Sequence, residues 1–268
     1  MTLPEGLDLA RRHGFSGYHV NIHELAALGT ARTEELAQEK GIRLAAWGFP
    51  LEFRNDEGSY KESLAALPQL AETAAELGLF RTSTWIMPCS NELTYRQNFA
   101  FHVSRLKPAA SILAEFGIRL GLEYVGPKTL WSSQRFPFVH TLKEMTELAL
   151  AVGSNVGFLL DSFHLYTAHE TAEEVRRLSP EQIVEVHVND ARPVPVDEQL
   201  DQLRALPGET GVIDLKAFLQ AVAATGYDGP VMVEPFSQRV RELTEDDACA
   251  ETASSLKRVW QQAGLQTS

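Results

Sequence analysis

Cysteine is nearly absent from this chain. Cys89 and Cys249 are its two examples and stand far apart, a spacing that suggests neither a disulfide framework nor a zinc cluster and fits a reducing cytosol. No apolar run approaches the ~20 residues needed to span a bilayer, and Met1-Thr-Leu-Pro-Glu lacks the profile of a signal peptide. A cytoplasmic location, with no membrane partner, is the resulting expectation. Positive charge is also short: 24 Lys and Arg face 36 Asp and Glu, a formal net charge of −12. Such a field repels a phosphate backbone, so nucleic acid is not the expected partner. The chain has no Gly-x-Gly-x-x-Gly, no Gly-x-x-x-x-Gly-Lys-Ser/Thr and no Gly-x-Ser-x-Gly. Nucleotide cofactors and serine-hydrolase chemistry therefore lack support.

What the chain does contain is an unbroken alternation of helix and strand signals. With 268 residues, 44% hydrophobic and 22% charged, it fits one large α/β barrel spanning 1–268 as a single domain. Amphipathic helices are expected over 4–13, 33–40, 59–77, 94–116, 141–152, 172–178, 214–225 and 246–263. Several end on glycine (Gly41, Gly78, Gly117, Gly226) and lead directly into a strand, the αβ junction of a parallel sheet. Strands are expected at 18–22, 42–49, 80–87, 118–125, 156–161, 183–188 and 230–235. That makes seven, whereas a closed (β/α)8 TIM barrel needs eight, and the one not readable is the first. A truncated start, a neighbouring chain covering the gap and a barrel open at that point all fit the sequence.

Four of these strands end on residues that bind hard metals: Ile118-Arg-Leu-Gly-Leu-Glu123, Val156-Gly-Phe-Leu-Leu-Asp161, Ile183-Val-Glu-Val-His187 and Pro230-Val-Met-Val-Glu234. The terminal residues are 38, 26 and 47 positions apart, each step about one strand-plus-helix unit. In a parallel barrel such positions converge on one rim. Three carboxylates and an imidazole there suit one divalent cation, Mn²⁺, Mg²⁺, Co²⁺ or Zn²⁺. Glutamate is rarely buried unpaired, and a buried carboxylate without a partner costs several kcal/mol, which a metal offsets. Glu123 and Glu234 are further suited to act as base and acid on opposite sides of a substrate; two unrelated salt bridges are the structural alternative. His164, three residues past Asp161, reads as a ligand, a substrate contact or a surface coincidence. Arg192, five past His187, reads as a contact for a substrate hydroxylate or phosphate, or as a plain surface charge. Trp47, at the end of the second strand, reads as a pocket wall or as core. His19, Asn21 and His23 alternate near the strand expected at 18–22, the second of a full barrel, either into the site or along an edge.

The stretches Gly121-Leu-Glu-Tyr-Val-Gly, Leu160-Asp-Ser-Phe-His-Leu-Tyr, Val184-Glu-Val-His-Val-Asn-Asp-Ala-Arg and Gly229-Pro-Val-Met-Val-Glu-Pro-Phe resemble the xylose isomerase-like TIM barrel superfamily. The nearest likeness is to its sugar phosphate isomerase/epimerase branch, with Leu160-Asp-Ser-Phe-His leaning toward inosose isomerase-like members. Pro207-Gly-Glu-Thr-Gly-Val-Ile-Asp-Leu is similar to the family's loop before the seventh helix. The resemblance implies one divalent metal on Glu123, Asp161, His187 and Glu234, proton exchange by Glu123 and Glu234, and substrate contacts from His164 and Arg192. It implies isomerisation or epimerisation of a small sugar, keto-inositol or related polyhydroxy carbonyl compound through an enediolate, and, by analogy, pairing into a homo-oligomer. Two same-site alternatives stand beside it, a dehydratase of a keto-polyol and a non-catalytic barrel that has lost activity. The superfamily's endonuclease IV type needs additional metal-binding histidines; the strand ends at Trp47 and Met87 offer none, and no histidine follows His187.

Overall fold

The computed structural model describes residues 1–265. Among the described residues are nine strands: β1 (Gly17–Val20), β2 (Arg43–Gly48), β3 (Arg81–Ile86), β4 (Cys89–Ser90), β5 (Arg119–Tyr124), β6 (Phe136–Pro137), β7 (Val156–Asp161), β8 (Ile183–His187) and β9 (Val231–Met232). Seven of them form one sheet in the order β1-β2-β3-β5-β7-β8-β9, every neighbouring pair parallel. The remaining two, β4 and β6, pair as a small antiparallel ribbon beside the rim. The sheet curls into a half-barrel, so that Ser83 on β3 reaches Glu185 on β8 across the lumen at 2.9 Å. Among the described residues no strand bridges β1 and β9, and the barrel is open between them.

Local chemistry explains most boundaries. Asp56 opens the long helix Glu57–Glu76 by accepting from the amides of Gly58 and Ser59 at 2.8 and 3.1 Å. Thr141 and Asp214 cap the helices Leu142–Val152 and Leu215–Ala224 in the same way. Gly41, Gly78, Gly117 and Gly226 adopt φ between 64° and 83° at the helix ends, where a side chain would be strained. The outward faces of the strands pack on the helices: Leu120, Leu122, Leu160 and Val186 are fully buried, as are Leu67, Leu106, Leu113 and Leu148. Each such side chain contributes roughly 1.5–3 kcal/mol over exposure. No helix among the described residues is long and apolar enough to cross a membrane.

Two expected elements differ from the structure. The first strand stops at Val20 rather than running to residue 22, because Asn21 takes the N-cap position of helix Ile22–Leu28 and accepts from the His23 amide at 3.0 Å. His23 therefore lies on a helix, and the alternation of His19, Asn21 and His23 ends at Asn21. The last strand shrinks from 230–235 to Val231–Met232. Pro230 and Pro235 bracket it and donate no ladder bonds, so Glu234 stands on irregular backbone.

Candidate metal centre

Parallel strands deliver their last lumen-facing side chains to one rim, and here that rim gathers Glu123 from β5, Asp161 from β7, His187 from β8 and Glu234 just beyond β9. One ligand-type atom of each lies within 4.8 Å of the others. His187 Nδ1 is 3.9 Å from Glu123 Oε1, 3.9 Å from Asp161 Oδ2 and 3.8 Å from Glu234 Oε2. Glu123 Oε1 and His187 Nδ1 are buried and have no hydrogen-bond partner in the protein. Buried polar atoms left without partners are costly, and a cation shared by these atoms would satisfy both. Three carboxylate oxygens and one imidazole nitrogen match a divalent ion of the hard to intermediate kind, so the residues fit a metal.

Asp161 is the most firmly fixed of the four. Its Oδ1 accepts from the Phe163 amide at 2.7 Å, and its Oδ2 from Asn189 Nδ2 at 2.9 Å. A third donor, which the sequence reading missed, is Arg204. Arg204 Nη1 lies 2.7 Å from Asp161 Oδ2 and 2.9 Å from Glu234 Oε2, while Nη2 donates to Asp201 Oδ1 at 2.8 Å. Its side chain is 2% exposed, and its guanidinium lies 4.8 Å from the ring centroids of both Phe163 and Phe236.

The electrostatics pull the two glutamates apart. Burial raises the Glu123 carboxyl well above its ordinary range, reinforced by Glu234 and Asp161 and opposed by His187 and Arg204. Glu234 suffers burial too, yet His187 and Arg204 outweigh it and hold its carboxyl below the usual value. For His187, burial pulls the imidazole down, but Glu234, Glu123 and Asp161 outweigh it and lift it to about 9. His164 goes the other way, lowered to about 3 by burial and by Arg204. Both of its ring nitrogens face donors, the Gly126 amide at 3.3 Å from Nδ1 and Arg204 Nη2 at 3.1 Å from Nε2. A charged ring would set N–H against N–H at both nitrogens and a neutral ring at one, which with burial favours the neutral form.

Of the residues expected at the site, the structure brings together Glu123, Asp161, His187, Glu234 and His164, whose Nε2 is 3.7 Å from Glu123 Oε1. For the other two it shows no hydrogen bond or ion pair to the cluster. The indole of Trp47 is fully buried in the core and donates to the Leu79 carbonyl at 3.2 Å, at the start of the next strand and away from the rim. Arg192 offers no guanidinium hydrogen bond to the cluster, and its Nε is buried without a partner. The arginine that reaches the ligands is Arg204, twelve residues further along a loop whose path the sequence spacing does not reveal. Its one sequence signal is its place just ahead of Pro207-Gly208.

Comparison with known proteins agrees with this architecture. The xylose isomerase-like TIM barrel family model matches residues 7–259, and the chain belongs to that family. An inosose isomerase of Bacillus velezensis is 26% identical over 92% of this chain and 88% of its own. A 3-dehydroshikimate dehydratase of Pseudomonas aeruginosa is 29% identical over 90% of this chain, though the match takes in 37% of that longer protein. Among solved structures, a xylose isomerase domain protein from Alicyclobacillus acidocaldarius superposes with a TM-score of 0.89 at 33% identity, covering 98% of this chain and 95% of its own. The IOLI protein with a bound zinc atom gives a TM-score of 0.80 over 98% of this chain and 94% of its own, and at 24% identity that is a likeness of fold.

Proposed function

We propose that the protein is a divalent-metal-dependent isomerase or epimerase of a small polyhydroxy carbonyl compound, working by proton transfer. The observation that carries this reading is the pair Glu123 and Glu234, held on one ligand cluster with Asp161 and His187. Two carboxylates on one metal cluster can serve as base and acid toward a bound substrate. A metal held by Glu123, Asp161, His187 and Glu234 would supply Lewis-acid polarisation of a carbonyl and its neighbouring hydroxyl.

The protein's own groups then handle the proton. Glu234, kept ionised by Arg204 and His187, removes it from the carbon beside the carbonyl. Glu123, on the other side of the cluster, returns one. Delivery to the opposite face of the same carbon gives an epimer, and delivery to the adjacent carbon gives aldose–ketose isomerisation. Neutral His164 stands beside Glu123 and Arg204 as a contact for a substrate oxygen. Arg204 orients Asp161 and Glu234 and neutralises part of their charge. The relatives named as inosose isomerase and as 3-dehydroshikimate dehydratase bracket the chemistry. The second of these supports a dehydratase reading, in which the enolate expels a β-hydroxyl instead of being reprotonated.

Elemental analysis of wild type beside Glu234→Gln and His187→Ala tests the centre. One divalent ion per chain in wild type, lost or weakened in both variants, is the expected result; no uptake even with Mn²⁺ supplied would end the metal reading. Screening ketoses and inososes then tests the reaction. Turnover should vanish in Glu123→Gln and Glu234→Gln, and near wild-type rates in both would remove their assigned roles. Loss of water from the product selects the dehydratase.

A further inference from the structure

The lumen is closed at its middle and opens again beside the ligands. Ala46, Ser83 and Glu185 are buried in it, whereas His19, Gly48 and Trp85 on the same face are exposed. Strand alternation places all three of these on the lumen side. On β1, the Tyr18 hydroxyl lies against Gly6 of the helix Leu3–His13 and Val20 is buried in the core, so His19 between them points inward. On β2, the fully buried Trp47 belongs to the outer core, and Gly48 faces inward with its register partner Ser83. On β3, Trp85 follows Ser83 by two positions and is the register partner of the ligand Glu123, whose strand runs about 4.8 Å away.

These positions form one basin. A Cβ on Gly48 would meet a single neighbour within 4 Å, the His19 ring, with Cε1 at 3.7 Å. The missing side chain therefore leaves open space beside the imidazole. A cavity of about 400 Å³ lined by His19, Gly48, Asn21, His23 and Pro50 continues along the edge of β1, where the barrel is open. Pockets for small molecules start at roughly 300 Å³. Loss of water in this recess, reinforced by the charge of His187 across the lumen, lowers the His19 ring to about 4. The ring is thus neutral at neutral pH and offers one N–H and one lone pair, yet it has no hydrogen-bond partner among the described residues. A hydroxyl, which both donates and accepts, matches such a ring. No lysine or arginine lines the cavity, so an acid or phosphate has no cationic side chain to meet there.

We infer that this basin, walled by His19, Gly48 and Trp85, is the subsite for the non-reacting end of the substrate, with His19 holding one of its hydroxyls. The substrate class that fits is an uncharged polyhydroxy carbonyl compound longer than a triose. The inference rests on reading the four-ligand cluster as the reaction centre. Ligand-observed NMR titrations of the full chain in Mg²⁺ test it with D-fructose, scyllo-inosose and dihydroxyacetone. The last carries the carbonyl and hydroxyls that a metal would chelate, with no carbon beyond them. Wild type should bind at least one of the two longer probes saturably, and about tenfold or more tighter than dihydroxyacetone. His19→Ala should weaken that probe about tenfold, the loss of one hydrogen bond, and His19→Gln, which still donates and accepts, should recover part of it. Gly48→Val removes no polar group but fills the basin, and should weaken the same probe at least as much. Dihydroxyacetone binding, metal content and circular dichroism should stay as in wild type in all three variants.

Equal binding of the longer probe by wild type, His19→Ala and Gly48→Val, or no saturable binding of either longer probe, would overturn the subsite. Metal content measured on the same preparations separates the two readings. Metal uptake with binding that ignores both substitutions removes the subsite and leaves the reaction centre. Binding that depends on His19 and Gly48 in a chain that takes up no metal keeps the subsite and removes the centre.

Discussion

At the scale of single residues, Arg204 carries the strongest prediction. Its buried guanidinium neutralises Asp161, Glu234 and Asp201. Removing one partner of a buried ion network leaves uncompensated charge, at about 3–5 kcal/mol. Arg204→Ala should therefore lose stability of that order in urea unfolding, whereas Arg192→Ala, which breaks no ion pair, should lose about 1 kcal/mol or less. Equal losses would mean that Arg204 is not the arginine of the site. Gly126 is equally specific: a Cβ there would meet the His164 carbonyl oxygen at 2.4 Å and Thr167 Oγ1 at 2.7 Å. Gly126→Ala should cost roughly 1–3 kcal/mol through overpacking and displace His164, read as reduced metal affinity or turnover alongside the unfolding curve. The gathering of Glu123, Asp161, His187 and Glu234 on one rim was legible in the sequence because each ends, or stands just beyond, a short apolar strand of a parallel sheet. Arg204 was not legible, since its position depends on the path of the 191–203 loop, and neither was the lumen face of Trp85, which needs the register.

Among the elements, the strands were the most readable and the segments between them the least. Seven short apolar runs, each set after a glycine-ended helix or an equivalent turn, mapped onto seven parallel strands. Helix Ile22–Leu28 was missed because its cap, Asn21, also fits the polar position of an alternating strand, and periodicity cannot decide over so few residues. The loop carrying Arg204 is organised by Asp190, whose role likewise depends on long-range contacts. Asp190 Oδ1 accepts from the amides of Ala191 and Ile213 at 2.8 and 3.0 Å, and Oδ2 from those of Thr210 and Gly211 at 3.1 and 2.7 Å. Asp190 and Ala205 also exchange backbone hydrogen bonds at 3.0 and 2.9 Å. The Asp190 carboxylate thus ties the end of β8 to the 204–213 segment. Charge-assisted bonds contribute roughly 1.5–3 kcal/mol each and are not additive. Asp190→Ala should cost at least about 3 kcal/mol on that footing and loosen Arg204 with it. Hydrogen exchange of the Thr210, Gly211 and Ile213 amides checks this, and unchanged protection there would show that another contact holds the loop.

For the molecule as a whole, the lumen beneath the ligands sets how stability depends on pH. Glu185 is fully buried between β3 and β8, with Ser83 Oγ at 2.9 Å from Oε2 and no partner for Oε1. Burial raises its carboxyl to about 7, against His187, Ser83 and Arg81, which all favour the ionised form. The folded protein therefore holds a proton that the unfolded chain releases at its ordinary value of 4.5. Its contribution is complete below that value and is lost as pH rises through about 7, a difference on the order of 3 kcal/mol. His187 acts with the same sign, its charged form stabilised below 6.5 and that gain lost as pH rises through about 9. In EDTA these two groups should make stability decline from about pH 6.5 toward pH 9, whereas His19, His102 and His164, lowered by burial to about 4, 4 and 3, raise it as pH climbs toward 6.5. Glu185→Gln keeps a group able to bond Ser83 and removes the buried charge. It should match wild type near pH 4.5 and exceed it by up to about 3 kcal/mol at pH 8, read from urea midpoints at the two pH values. A gap of the same size at both would mean that Glu185 does not titrate in this range.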